Sequence, residues 1–105
     1  MVLEDDIVKY ALALPDVSVH DEKEYKIFLR GETIFALFEP GKEPLRMQVR
    51  CDRELSKTLQ ERYESVMESR ALGRNGIEII CSGQLTHDEV IDLVRHGYEQ
   101  SAPKE

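Results

Sequence analysis

The fold of this chain is decided by one short stretch, LRMQVRC, at residues 45–51. Apolar residues occupy its odd positions, and long polar or cationic residues occupy its even positions. A period of two is typical of a β-strand that buries one face and exposes the other. The exposed face would carry Arg46, Gln48 and Arg50. In a chain with a net charge of -7, these two guanidinium groups are the first indication of where a partner binds.

Length and composition predict one small domain. The chain has 105 residues, 41% of them hydrophobic, so we expect a single domain over residues 1–105 with a frayed tail at 101–105. No apolar stretch approaches the ~20 residues of a membrane span, and the acidic start does not fit a secretory signal. We therefore expect no membrane partner. Because Cys51 and Cys81 are isolated, we also expect reduced, buried thiols in a cytoplasmic protein.

Helices are predicted near both ends of the chain and once in its middle. Apolar residues at helical spacing predict the first helix near residues 4–14. Thr86 as N-cap, with Glu89 as its capping-box partner, predicts a helix from residue 87 to about 100. Asp52 is a suitable N-cap for the middle helix.

Strands are predicted between these helices. Gly31 and Glu32 fit a two-residue type II′ turn, which joins two strands into a hairpin. The strands are expected at residues 25–30, 33–38, 45–51 and 77–82, with residues 16–24 a connector or irregular edge and residues 65–76 a loop. The predicted class is therefore α+β, with an antiparallel sheet whose one face is covered by the terminal helices.

Regular pairing across the Gly31 turn predicts which side chains are buried. It sets Arg30 opposite Thr33, Phe28 opposite Phe35 and Lys26 opposite Leu37. The core face would then hold Tyr25, Ile27, Leu29, Ile34, Ala36 and Phe38. The other face would hold Lys26, Phe28, Arg30, Phe35 and Leu37, extended by Arg46, Gln48 and Arg50.

Charge is unevenly distributed along the chain. Residues 1–41 carry a net charge of -5, residues 42–74 carry +2 and residues 75–105 carry -4. An acidic chain repels nucleic acid at long range, so any such binding would be weak, salt-dependent and dependent on the middle third.

Several short pieces, taken in order, point to a known family. They are Leu14-Pro15-Asp16-Val17, Gly31, Phe35-Ala36-Leu37, Val49-Arg50-Cys51-Asp52 and Gly97-Tyr98-Glu99. With them the chain resembles the MmcQ/YjbR family of small bacterial proteins. The resemblance implies a frataxin-like (CyaY-like) fold and a DNA-binding role. The family pattern also places a tryptophan near Gly76, and this chain has none.

Three readings of function follow from these residues. The first is a DNA-binding or regulatory module that uses the cationic sheet face and its flanking loops. Its binding residues would be Lys26, Arg30, Arg46, Arg50, Arg70 and Arg74, with Phe28 and Phe35 available for stacking or docking. If four cations each neutralise one phosphate, affinity would fall about a hundredfold between 50 and 200 mM salt. The second is an interaction module whose exposed Phe28, Phe35 and Leu37 dock an acidic protein partner or a second copy. A simple solvated, ion-paired face is the alternative to both.

The third and weakest reading is a frataxin-like metal-handling surface on the acidic residues Asp16, Asp21, Glu22 and Glu24. Metal cages need fixed oxygen ligands, which an acidic loop does not supply, so we expect no metal site and no cofactor. The histidines and cysteines also lack ligand spacing. Since no catalytic motif is present, we expect no enzyme and no catalytic residue.

Overall fold

The computed structural model of this chain describes residues 3–81 and 84–102. Within them lie three helices, α1 (Leu3–Leu12), α2 (Arg53–Arg62) and α3 (His87–Gln100). The strands are β1 (Val17–Glu22), β2 (Tyr25–Arg30), β3 (Thr33–Phe38), β4 (Arg46–Arg50), β5 (Val66–Ser69) and β6 (Gly73–Ile80). They form one sheet in the order β1-β2-β3-β4-β6-β5, and all neighbours are antiparallel. The predicted α+β class is confirmed.

Strand β4 shows the alternation that its sequence predicts. Met47 and Val49 are fully buried and lie opposite Ile79 and Ile77 of β6, in the main hydrophobic core. Because side chains alternate along a strand, Gln48 points to the opposite face of the sheet. We call that opposite face the open face.

All three helices contribute to the core on the other face. Side chains of α1 and α3 belong to the same buried cluster as β4 and β6, and apolar residues of α2 pack against it. Both predicted caps are present, since Asp52 accepts hydrogen bonds at the start of α2 and Thr86 and Glu89 form a capping box. No helix within the described residues is long and apolar enough to cross a bilayer.

A β-bulge between β2 and β3 changes the predicted register. The turn is present, because Gly31 has a positive φ of 62° and Arg30 pairs with Thr33. The next pair, Leu29–Ile34, keeps this register, and between Leu29 and Phe28 the register shifts by one residue because β3 carries an extra residue. The predicted pairs Phe28–Phe35 and Lys26–Leu37 are therefore wrong, and the observed pairs are Phe28–Ala36 and Lys26–Phe38.

The shift also changes which side chains of β2 and of the turn-side end of β3 face the core. Phe28 and Phe35, predicted to be exposed, are both 0% exposed and lie in the core with ring centroids 6.3 Å apart. Of the predicted core set, only Ala36 and Phe38 belong to the buried cluster. The other members, which alternate with Phe28 along β2 or with Phe35 on the turn side of the bulge, face the open side: Tyr25, Ile27, Leu29 and Ile34.

Two strands lie in segments that the sequence did not predict as strands. Residues 17–22 form edge strand β1, with Val17 and Val19 packed against the core. Residues 66–69 form edge strand β5, and β6 begins at Gly73 rather than at residue 77.

At the other end of the chain, Ser101 is buried and its hydroxyl donates to the Tyr98 carbonyl oxygen. Ser101 is thus packed in this structure, and fraying of the tail stays a prediction. Residues 103–105 and the predicted strand end at 82 lie outside the described residues.

Candidate anion-binding site

The six cations predicted to bind nucleic acid do not form one surface. Lys26 contacts Asp21 at 2.9 Å on the edge of the sheet. Arg46 and Arg70 share one carboxylate, that of Glu78, on the open face. The remaining three lie elsewhere: Arg30 and Arg50 line a cleft beside the end of α3, and Arg74 lines a separate groove beside α2.

The two predicted stacking residues are not accessible. Phe28 and Phe35 are fully buried, and the Phe35 ring meets the Tyr98 ring edge-on at 5.6 Å between centroids. Neither ring can stack on a base or dock a partner in this structure. The expectation that they are exposed is therefore wrong, and its cause is the bulge.

Arg30 is held by Tyr98 of α3. Its Nη1 donates to the Tyr98 carbonyl oxygen at 3.0 Å, and its guanidinium carbon lies 4.0 Å from the centroid of the Tyr98 ring. A cation over an aromatic face and near a helix C-terminus is favourable on both counts. The Tyr98 hydroxyl in turn donates to the Pro15 carbonyl oxygen at 2.8 Å, so the platform under Arg30 is itself anchored.

Arg50 lies across the same cleft. Its Nε donates to the Ile34 carbonyl oxygen at 2.8 Å. The cleft between the two arginines has a volume of about 450 Å³ and is otherwise lined by the hairpin turn at 31–33 and the end of α3 at 100–102. We call it the α3-end cleft.

The charge of the α3-end cleft is not neutralised by its own contacts. Within residues 3–81 and 84–102, neither Arg30 nor Arg50 has a carboxylate oxygen within 4.0 Å. Glu32 is the one acidic residue among those described that line the cleft. Since a guanidinium has five N–H donors and each of these two uses one, donors remain for an anion.

Arg46 and Arg70 have a different environment. The Glu78 side chain is fully buried, and its Oε2 lies 2.8 Å from Arg46 Nη1 and its Oε1 3.0 Å from Arg70 Nε. Burial is the largest single influence on the pKa of Glu78 and raises it, but the hydrogen bonds and charges of Arg70 and Arg46 together outweigh burial and lower that pKa. Glu78 is therefore ionised at neutral pH and cancels one of the two positive charges.

The pieces that carry the family resemblance meet at the α3-end cleft. Pro15 holds the Tyr98 hydroxyl, the Asp16 carbonyl oxygen accepts the Gly31 N–H at 3.1 Å, and Phe35 packs on Tyr98. Separated segments of the sequence thus build one local structure around two arginines.

Gly97 explains how closely α3 approaches the sheet. A Cβ atom at this position would lie 2.9 Å from the backbone oxygens of both Arg50 and Phe35, which is too close. The sequence did not predict the roles of Gly97 and Tyr98 in forming the cleft, because Tyr98 lies at helical spacing from Val90 and Val94 and is equally typical of a core-packing residue. A glycine in a helix interior, where it costs stability, was the available signal.

Reactive thiols and metal ligands give no competing site in the described part of the chain. Burial, with a smaller effect from Asp52, raises the pKa of Cys51 to about 11, and burial raises the pKa of Cys81 to about 11. Both thiols are therefore protonated at neutral pH and poor nucleophiles. No group of three or more His, Cys, Asp or Glu side chains within residues 3–81 and 84–102 could hold a metal ion.

Comparison with known proteins supports the fold. No family model matches the chain, so the MmcQ/YjbR resemblance is not confirmed, and no curated protein matches it significantly. Among solved structures, the chain is similar to protein DR2400 of Deinococcus radiodurans, which has a DUF419 domain, with a TM-score of 0.81 and 20% identity over 90% of this chain and 75% of that one. The chain is also similar to a protein of Pseudomonas syringae, with a TM-score of 0.74 and 14% identity. This match covers 93% of this chain and 97% of that one. Both likenesses show a shared fold.

Proposed function

We propose that this chain is a non-catalytic, cytoplasmic binding protein of the MmcQ/YjbR type that binds nucleic-acid phosphates in the α3-end cleft. One observation carries the proposal. Arg30 and Arg50 are half-buried, face one cleft, and use backbone carbonyl oxygens rather than carboxylates as their described acceptors. Their positive charge is therefore available to an anionic ligand.

The fixed position of the two arginines favours binding of a phosphate group. A guanidinium that is already held by a carbonyl oxygen and an aromatic ring loses little further side-chain freedom when it binds. Charge-assisted hydrogen bonds from arginine to phosphate are among the stronger ones in proteins. Contacts of this kind position a protein on nucleic acid without reading its sequence, so the expected binding is not sequence-specific.

The expected affinity is low and depends on salt. With a net charge of -7, the whole chain opposes approach to a polyanion, and only the local field of the cleft favours it. Two phosphate contacts predict a fall in affinity of about tenfold between 50 and 200 mM salt. This is less than the hundredfold expected from four cations, because Glu78 pairs with Arg46 and Asp21 pairs with Lys26.

A titration of fluorescent random oligonucleotides tests the proposal. Single strands and duplexes would be titrated with the protein at both salt concentrations, using fluorescence anisotropy. We expect Arg30→Gln and Arg50→Gln each to weaken binding about tenfold. Arg95→Gln is the matched control, because Arg95 lies on α3, is 60% exposed and has the same charge.

Two results would contradict the proposal. One is the absence of binding at the lower salt concentration by a protein that circular dichroism shows to be folded. The other is an equal loss of affinity in Arg30→Gln and Arg95→Gln, which would reflect net charge alone. Docking of an acidic protein or a second copy through Phe28, Phe35 and Leu37 has lost its support, since these side chains are at most 5% exposed.

A further inference from the structure

A second cleft lies on the open face and has a polar floor. Its volume is about 490 Å³, within the usual range of small-molecule sites, and Gln48 of β4 lies at its base. The Gln48 side chain is only 2% exposed. Its Oε1 accepts hydrogen bonds from Ser69 Oγ at 2.7 Å and from the Ala71 N–H at 3.0 Å.

These two bonds fix the orientation of the Gln48 amide. Oε1 is occupied by the 69–71 turn and Gln48 lines the cleft, so Nε2 is the amide atom that is left to bind a ligand there. No described residue accepts a hydrogen bond from this Nε2, and the protein does not fully enclose it. A nearly buried amide with free N–H donors that reach a cleft is suited to bind an oxygen atom of a ligand.

Two guanidinium groups flank this amide. Arg46 and Arg70 are fixed by the buried Glu78, and their side chains are 47% and 67% exposed. Arg46 uses one N–H on Glu78 and Arg70 uses two, so both keep further donors. Together with Gln48 they line one cleft, so three side chains with remaining donors are available there to a carboxylate.

The loop between β3 and β4 supplies negative charge at the same cleft. Glu39 and Glu43 line it, and Lys42 lies 3.6 Å from Glu39. With Glu78, which lies beside Gln48 on the neighbouring strand β6, three cations are balanced by three carboxylates. A ligand with a net charge gains little from such a site, whereas a ligand with separated opposite charges can use both parts of it.

We propose that the open-face cleft binds a small zwitterion, namely a free α-amino acid or a close analogue. Its carboxylate binds Gln48 Nε2, Arg46 and Arg70, and its ammonium group faces Glu39 and Glu43. The Tyr25 side chain forms a wall of the cleft, beside the ligand. This site is separate from the α3-end cleft and does not depend on nucleic-acid binding.

Calorimetric titration of the full chain with each standard amino acid tests this proposal. At least one is expected to bind with a Kd of about 1 mM or tighter. The matched carboxylic acid without its amino group, and inorganic phosphate, are each expected to bind at least about tenfold more weakly. Arg70→Gln and Gln48→Glu should each weaken amino-acid binding about tenfold, because the second keeps the acceptor oxygen but replaces the donor.

Controls separate this site from the α3-end cleft. Arg30→Gln and Arg95→Gln should leave amino-acid binding unchanged, and Arg70→Gln should leave oligonucleotide binding unchanged. The proposal is overturned if no amino acid binds, or if the acid without its amino group or inorganic phosphate binds as tightly as the amino acid. It is also overturned if Arg70→Gln binds the amino acid like wild type. Since Arg70 is a surface residue, that variant decides the matter even if Gln48→Glu does not fold.

Discussion

Two pairs of arginines in this molecule have the same chemistry and opposite electrostatic outcomes. Arg30 and Arg50 donate to backbone carbonyl oxygens, whereas Arg46 and Arg70 donate to the buried carboxylate of Glu78. A carbonyl oxygen fixes a guanidinium and leaves its charge intact, while a carboxylate fixes it and cancels one charge. The acceptor, more than the number of arginines, therefore decides how much net positive charge each pair keeps.

The largest expected effect comes from removing each pair while keeping side-chain volume. Arg46→Met with Arg70→Met would leave Glu78 buried without a partner, and we expect a loss of about 3–5 kcal/mol in the free energy of unfolding. Arg30→Met with Arg50→Met would leave only carbonyl oxygens near solvent, at a cost of about 1–2 kcal/mol. Urea denaturation of the two double variants measures the difference.

Alanine variants sharpen this test. Arg46→Ala with Arg70→Ala should cost less than the methionine pair, because the smaller side chains admit water to the Glu78 carboxylate. Two results would contradict a special role of the buried carboxylate: an equal loss of unfolding free energy in both methionine double variants, or a larger loss with alanine than with methionine at positions 46 and 70.

A smaller effect is expected from Gly97→Ala, which alters only the α3-end cleft. The new methyl group would press on backbone oxygens of β3 and β4, so we expect a loss of about 1–3 kcal/mol and weaker oligonucleotide binding. Amino-acid binding in the open-face cleft should not change. Glu99→Ala, at an exposed position of α3, is the control, and equal destabilisation by both would contradict a specific clash.

The sequence predicted this comparison only in part. Alternation in β4 correctly separated Met47 and Val49 from Gln48, because the period of a strand needs no knowledge of its neighbours. The helix caps were also predicted, since a cap is a local hydrogen-bonding pattern. The five arginines and one lysine of the predicted site could also be named from the sequence. The groups that accept their hydrogen bonds could not.

The rest of the site depended on long-range contacts. One extra residue at the bulge reversed the faces of Phe28 and Phe35, and no local signal in β2 or β3 marks its position. Glu78 lies within an apolar run, and its partners come from separate segments: Arg46 is 32 residues away, and Arg70 is eight residues away in a stretch predicted to be a loop. The edge strand β1 was missed because its acidic residues resemble a loop, although Val17 and Val19 alternate as strand residues do.

The dependence of melting temperature on acid pH should also distinguish the Glu78 region from the α3-end cleft. Since the folded-state pKa of Glu78 is lowered, its contribution to stability is complete above the unfolded pKa of about 4.3 and is lost as pH falls through the folded value. Carbonyl acceptors in the α3-end cleft do not titrate. We expect Glu78→Gln to show a shallower loss of melting temperature in acid than wild type, and Arg50→Gln to follow wild type. A wild-type acid slope in Glu78→Gln would contradict the assignment.

A more subtle substitution tests how Arg30 is held. Arg30→Lys keeps the charge but removes the planar group that stacks on Tyr98, so we expect a loss of about 0.5–1 kcal/mol. Oligonucleotide affinity should fall while its dependence on salt stays the same, because the number of charges is unchanged. Arg95→Lys, on the exposed side of α3, should change neither quantity. A change in salt dependence would mean that the charge, and not the geometry, had been disturbed.

The smallest expected effect lies outside both clefts and provides a reference for the pH measurements. His87 Nε2 lies 2.6 Å from Asp6 Oδ2 and links α3 to α1. The hydrogen bond to Asp6 is the main cause that raises the pKa of His87, with a smaller contribution from Asp88. Its stabilising effect is therefore complete below the unfolded pKa of about 6.5 and is lost as pH rises through the folded value. We expect Asp6→Asn to flatten the decline in melting temperature above neutral pH and to leave the acid limb of Glu78 unchanged. If Asp6→Asn instead changed the loss of melting temperature at acid pH, that loss could not be assigned to Glu78, the carboxylate whose presence distinguishes the two arginine pairs.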